Sequence, residues 1–225
     1  MNDSPKAIEH HVENCFELLQ AGDADGLRRL LGRNPPLSEA RDASGVSLLM
    51  NSLYRGRRDI AELIASQKKT LDIFEAASLG RLDLLTTHLR DDGTVLNSYS
   101  SDGFTALHFA CFFGQPEAAR ILLDRGAEVD VVAANPMRVM PLHSAASARH
   151  LEAVRLLLEH GALVNARQHG GWTPIHAAAQ NGDRAMVELL LRHHADRKPS
   201  NDDGKTPAMI AREKGHEELA RVLLD

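Results

Sequence analysis

Cysteine, aromatic residues and long apolar runs are all scarce in this chain of 225 residues, and each scarcity removes a class of protein. Cys15 and Cys111 stand far apart in stretches with helical patterning, so neither a disulfide framework nor a paired zinc-binding spacing is available; both are expected reduced and buried. No apolar run approaches the roughly 18 residues of a membrane span, and the start lacks the basic, apolar and small-residue order of a secretory leader. A cytoplasmic setting is the expectation. Charge of neither sign dominates: 26 Lys and Arg against 31 Asp and Glu leave a net charge of −5, which offers no general attraction to nucleic acid or to an acidic membrane. The local clusters at Arg55, Arg57 and Arg58 and at Lys68 and Lys69 read as solvated helix faces and turns. With 43% apolar and 25% charged residues, the balance is that of an ordinary soluble protein.

Reactive motifs are missing as well. There is no glycine-rich phosphate loop, no dinucleotide fingerprint, and no serine or cysteine in a strained turn beside a base. Cys111 sits where a small apolar residue packs between helices. Twelve histidines invite a metal reading, but the pairs His10-His11 and His193-His194 are adjacent in sequence, and neighbours on a helix diverge by about 100° instead of converging on one ion. No catalytic residue, cofactor or metal ligand is assigned, and the chain is read as not an enzyme.

What is present is a repeat. In Thr173-Pro174-Ile175-His176-Ala177-Ala178-Ala179-Gln180-Asn181-Gly182, Thr173 can cap a helix, Pro174 suits its first position, His176 can reach back to the cap, and Gly182 can end the helix in the left-handed conformation. Equivalents of that stopping residue fall at Gly22, Gly56, Gly80, Gly114, Arg149, Gly182 and Gly215, with spacings of 34, 24, 34, 35, 33 and 33 residues. The starts repeat as Thr105-Ala106-Leu107-His108, Met140-Pro141-Leu142-His143 and Thr206-Pro207-Ala208-Met209. The second helices repeat as Ala119-Arg120-Ile121-Leu122-Leu123, Val154-Arg155-Leu156-Leu157-Leu158, Val187-Glu188-Leu189-Leu190-Leu191 and Leu219-Ala220-Arg221-Val222-Leu223-Leu224.

A period near 33 with a Thr-Pro-Leu-His-like start resembles the ankyrin repeat family, specifically over about residues 101–225 and more loosely over 1–100. The resemblance implies an α-class solenoid of about seven helix-turn-helix repeats with short β-turn fingers. One domain over 1–225 is expected, divergent with an N-terminal cap over 1–98 and regular with a C-terminal cap over 99–225. His10, His11, Glu13 and Asn14 at one end, and Glu217, Glu218, Arg221 and Asp225 at the other, are the expected polar outer sides. The resemblance also implies that His108, His143 and His176 bond near the helix start and tie neighbouring units together. The spacing of 24 leaves little more than Gln67-Lys68-Lys69-Thr70 for one finger, which predicts an interrupted finger row and an exposed first helix after it.

Function then rests on a surface. In ankyrin-like units the residues before the capping threonine lie on the finger, and the two before the stopping glycine lie on the concave side. Those slots hold Phe104, Phe112, Phe113, Met137, Val139 and Trp172, taken as apolar anchors, with Tyr54, Arg55, His169, Gln180, Asn181, Lys205 and Lys214 as polar surroundings; Phe109 reads as core. The finger Val129 to Val139 is two residues longer than its neighbours, with Met140 in place of the capping threonine, Arg149 in place of a stopping glycine, and a tip at Pro136-Met137 expected to be mobile. Packing of Phe112 and Phe113 against that finger is the other reading of the aromatic cluster. The chain is expected to be a scaffold that binds a protein partner on its concave face, monomeric in isolation, with no nucleic-acid or membrane partner. A permanent inhibitory or stabilising subunit of a larger protein, and a metal- or small-molecule-dependent enzyme, are the alternatives.

Overall fold

Helix starts and stops fall where the capping and left-handed residues put them. A computed structural model describes residues 5–224, with side chains from residue 9; Asp225, expected on the polar outer side of the last helix, lies outside the described residues. The described residues hold fourteen α-helices and no strand, only an isolated antiparallel bridge between Arg41 and Ser47. The fold is all-helical. The chain divides into two compact units, Met1–Glu75 and Ala76–Asp225.

The first unit contains α1 (Pro5–Ala21), α2 (Ala24–Arg33), α3 (Leu48–Tyr54) and α4 (Arg58–Gln67), and runs into the start of α5 (Ile73–Leu79). Gly22 and Gly56 end the first helices of their pairs at φ 71° and 70°. Asp23 caps α2 by accepting from Gly26 N–H at 2.7 Å, and Ser47 caps α3 by accepting from Met50 N–H at 3.2 Å. Leu27, Leu31, Leu48, Leu49, Ile60 and Ile64 are fully buried. Arg57 crosses between pairs, donating to the Gly22 carbonyl at 3.2 Å.

Between α4 and α5 the finger is missing, as the short spacing predicts. The expected exposure of α5 is wrong: Ile73, Glu75, Ala76, Ala77, Ser78 and Leu79 are all buried. An ionic cluster takes the finger's place. Asp72 and Glu75 form a reciprocal cap, with Glu75 N–H donating to Asp72 Oδ1 at 2.9 Å and Asp72 N–H to Glu75 Oε2 at 3.2 Å. Glu75 Oε1 also accepts from Ser47 Oγ–H at 2.7 Å and from Lys68 Nζ at 3.0 Å. Lys68, which the sequence placed in a solvated turn, has a side chain 2% exposed beside the fully buried Glu75 carboxylate, and reaches Glu39 at 2.8 Å. Burial works against its charge, but the bonds to Glu39 and the attraction of Glu75 outweigh that and raise its pKa above the ordinary lysine value. Burial, with the nearby Asp72 charge, pushes the Glu75 carboxyl up, opposed by Lys68 and Ser47.

The second unit completes α5 and holds α6 (Leu82–Asp91), α7 (Ala106–Phe112), α8 (Pro116–Asp124), α9 (Pro141–Ser147), α10 (Leu151–Glu159), α11 (Pro174–Gln180), α12 (Arg184–Arg192), α13 (Pro207–Glu213) and α14 (Glu217–Leu224). First helices pack in sequence, α7 on α9, α9 on α11 and α11 on α13, while α8, α10 and α12 form the row behind. That row is apolar on its inner face: Leu122, Val154, Leu157, Val187 and Leu190 are completely buried. Arg149 does adopt the stopping conformation at φ 66°, and His194 at φ 65° stands where Gly126 and Gly161 serve the other second helices.

Two ladders join the units of this array. In the first, Thr105 N–H donates to His108 Nδ1 at 3.2 Å and Thr173 N–H to His176 Nδ1 at 3.1 Å, which leaves the proton on Nε2. That proton goes to the next finger: His108 to the Val139 carbonyl at 3.1 Å, His143 to Ala166 at 3.0 Å, and His176 to Lys205 at 3.1 Å. Met140 keeps half of the arrangement, since its backbone N–H still donates to His143 Nδ1 at 3.2 Å. In the second ladder each finger donates to the one before, Ala134 N–H to Gly103 O at 2.8 Å, His169 N–H to Met137 O at 3.1 Å and Asp202 N–H to Gly170 O at 3.0 Å. Close approach demands glycine at Gly103, where a Cβ would stand 2.7 Å from the Ala134 carbonyl oxygen.

Two outcomes are expected. Lys68→Met should cost about 3–5 kcal/mol in chemical denaturation because it strands a buried carboxylate, and Lys68→Met with Glu75→Gln should recover most of that. The second concerns pH. Burial holds His108 down to about 4, and it lowers His143 and His176 in the same direction. The unfolded chain takes up the proton first, near pH 6.5, so the stability carried by the neutral ring is complete above that pH and is lost as pH falls toward 4. Thermal melts of the parent should therefore fall across this window, and those of His108→Gln should fall less steeply.

Candidate functional site

The residues proposed as anchors sit where the first helices of the second unit end and where its fingers turn. Phe112 closes α7 and is 41% exposed. Its ring stands edge-on to Phe113 at 5.1 Å, and Phe113, half-buried, stacks at 6.4 Å on Phe109 beneath it. Phe109 is core at 3% exposure. Phe104 is half-buried, with its ring edge-on to both His108 and Phe109 at 5.7 Å.

The long finger is hydrogen-bonded to its neighbours on both sides. Asn135 Nδ2 donates to the Asp102 carbonyl at 2.9 Å and Asn135 Oδ1 accepts from Met137 N–H at 3.1 Å, in addition to the two rungs of the finger ladder. Its closing bond, Ala133 N–H to Val139 O at 2.8 Å, spans the two extra residues. Met137 is thereby held out at 56% exposure, whereas Val139 is only 6% exposed. Val139 is a correction to the expected surface: it is buried, and its carbonyl takes both the His108 and the Ala133 protons. Beside Met137, Arg138 is exposed in the left-handed region at φ 51°, a conformation unfavourable for a residue with a Cβ.

Four of the expected residues line one pocket of about 300 Å³: Trp172, His169, Gln180 and Asn181. Trp172 is half-buried with its ring 5.5 Å from His176. Asn181 Nδ2 donates to the Ser147 carbonyl at 3.1 Å, bridging α11 to α9. Lys205 stands apart, paired with Glu213 at 2.8 Å, and Lys214 is exposed beyond it. Tyr54, 41% exposed, and Arg55, also exposed, belong to the first compact unit.

His143, Ser147, Gln168, Thr173 and Ala177 complete the pocket wall and were missed by the sequence reading. Ser147 occupies the slot that holds Phe112 and Gln180 in the flanking units, two residues before Arg149. Gln168 was legible through the glycine three residues on, Gly171, which matches Gly45, Gly103 and Gly204.

The pocket wall offers shape and hydrogen-bonding groups. No group of three or more metal-binding side chains occurs among the described residues, and none of their helices is long and apolar enough to cross a membrane. Both cysteines are buried and free. Burial pushes the Cys15 thiol up to about 11 and Cys111 higher still, so neither offers a thiolate near neutral pH.

Comparison with known proteins agrees with this geometry. The profile of the family described as ankyrin repeats (3 copies) matches residues 73–168 and 164–225. The chain is 37% identical to human BCL-6 corepressor-like protein 1 over 98 residues, 44% of this chain and 5% of that protein. It is 46% identical to the mouse B-cell lymphoma 3 protein homolog over 70 residues, 31% of this chain and 15% of that one. To human DNA-binding protein RFXANK it is 33% identical over 101 residues, 44% of this chain and 39% of that one. The chain thus spans well under half the length of each of these relatives, and the matches support a protein-interaction role. With the family profile running from residue 73 to the C-terminal helix, over the same capped pairs that the two ladders join, the chain belongs to the ankyrin repeat family.

Proposed function

We propose that the chain is a non-catalytic interaction module that holds a partner protein on the face built from the fingers and first-helix ends of α7 to α13. The observation that carries this reading is the exposure of large apolar side chains: Phe112 is 41% exposed and Met137 56% exposed, one on a helix end and one on a finger hydrogen-bonded on both sides. Aromatic side chains beside a polar pocket are frequent anchors of a protein interface, because they cover a large area with few torsions, and a methionine adapts its shape to what it meets. Phe104 and Phe113 support the row from below, and Trp172, His169, Gln180 and Asn181 form its polar end. Tyr54, Arg55, Lys205 and Lys214 stand as rim residues. The module works as a monomer in a reducing, cytoplasmic setting, which the two unpaired buried cysteines suit.

Affinity capture with the intact chain tests this. Phe112→Ala and Trp172→Ala should each weaken retention of the captured partner about tenfold or more and leave the melting curve cooperative. Phe112 is the better probe than Phe113, whose ring also supports Phe109. Glu152→Ala and Glu188→Ala, on the second helices, should retain the partner normally; loss of retention equal to that of the aromatic variants would move the site away from this face.

A further inference from the structure

Three fingers share one turn construction, and at the pocket Gln168 departs from it. In the first compact unit, Asp42 Oδ1 accepts from Ser44 N–H at 2.9 Å and Val46 N–H at 3.1 Å, and Oδ2 accepts from Asn51 Nδ2 at 2.7 Å. In the second unit, Ser100 Oγ accepts from Phe104 N–H at 3.1 Å, and Asn201 Oδ1 from Asp203 N–H at 3.1 Å and Lys205 N–H at 2.8 Å. Gln168 occupies the same place, because its N–H closes the turn onto the Trp172 carbonyl at 2.9 Å as Asp42 does onto Val46 at 2.9 Å.

Its side chain is one methylene too long for the job. Its Oε1 is buried with no hydrogen-bond partner, as is Nδ2 of Asn201 in the following finger. The residue that answers Asp42 in the first unit, Asn51, is the fourth of α3; the fourth of α11 is Ala177, which has no donor to offer. Where an aspartate and an asparagine meet in one unit, a glutamine and an alanine face an open pocket in the other. A buried acceptor left without a donor is rare in folded proteins and costly enough to call for an explanation.

The chemistry of the pocket narrows what would supply the donor. None of its nine lining residues is Asp, Glu, Lys or Arg, so it offers no counter-charge to an ammonium, a guanidinium or a carboxylate. The His143 ring in its wall already spends its Nε2 proton on the Ala166 carbonyl. What remains is the amides of Gln168, Gln180 and Asn181, the Ser147 and Thr173 hydroxyls and the His169 ring, beside the flat indole of Trp172.

We propose that this pocket binds a primary carboxamide, the side chain of a glutamine or asparagine presented by the partner protein. Its NH₂ donates to Gln168 Oε1, replacing the bond that Asn51 makes to Asp42, and its carbonyl accepts from the Gln180 amide while its plane lies against Trp172. The terminal amide torsion of Gln168 is soft, so Oε1 turns toward an incoming donor at little cost. This assignment rests on the partner-binding reading of the same face.

Trp172 is the only tryptophan in the chain, so its fluorescence reports occupancy of the pocket. The intact chain is titrated with N-acetyl-glutamine N-methylamide, and with the corresponding glutamate, arginine and leucine derivatives. A saturable change is expected with the glutamine derivative and one weaker by about tenfold or more with the other three, since each lacks the matching donor or brings an unpaired charge. Gln168→Leu should abolish the preference. Ala177→Asn should refill the vacancy with the protein's own amide, weakening the glutamine derivative about tenfold or more while raising the melting temperature. No saturable change with the glutamine derivative overturns the proposal, as does an equal response to leucine or a preference for either charged derivative. The two readings separate cleanly: if Phe112→Ala still costs partner retention but the glutamine derivative does not bind, the face stands and the carboxamide pocket falls. If the derivative saturates and Phe112→Ala retains partner, the face reading falls.

Discussion

An imidazole with one bare nitrogen and one proton, shut away from water, is the part on which the array over residues 76–225 depends. Its Nδ1 accepts from the backbone at the start of its own helix, and its Nε2–H donates to the next finger, as at His176 between Thr173 and Lys205. Only the neutral ring can do both, because protonation turns the acceptor into a second donor facing a backbone N–H. Burial enforces that state and so makes the connection directional: helix start to following finger, unit after unit. The finger ladder then runs in the opposite sense, each finger donating back to the one before. Register along the array is held by these two sets of bonds, while the apolar faces of the second helices supply the bulk of the packing.

The first compact unit meets the same need with different chemistry. Glu75 stands at the third helical position that histidine holds elsewhere, and where no finger follows Lys68, the ammonium of that lysine enters the core to meet the carboxylate. A carboxylate can accept several bonds but donate none, so its surroundings must all be donors: Ser47, Lys68 and the Asp72 amide. The exchange of an imidazole for an ion pair satisfies the buried Glu75 carboxylate where no finger follows.

Exposed chemistry follows from the same framework. Bonds at Asn135 and His169 fasten the longest finger and hold Met137 at solvent. Val139, whose carbonyl receives the His108 proton, is buried. At Gln168 a turn built for a short side chain carries a long one, and the space opposite, occupied by Asn51 in another unit, is vacated by Ala177. Surface anchors and pocket are therefore both departures from the repeat, each legible only against the units that keep it.

Helix starts, helix stops and the missing finger were determined by the sequence itself, because each depends on residues only a few positions apart. Thr173 and His176 are within one turn, and Gly182 or Arg149 need only accept a left-handed backbone to end a helix. The inward course of Val139, the burial of Lys68 against Glu75 and the vacancy between Gln168 and Ala177 were decided by the tertiary structure. In each case the deciding atom belongs to another unit or another turn: the His108 ring 31 residues away from Val139, or the Ser47 hydroxyl 28 residues from Glu75. Local pattern specifies where an element begins and ends. Which side of it meets water depends on distant partners that arrive only when the units stack.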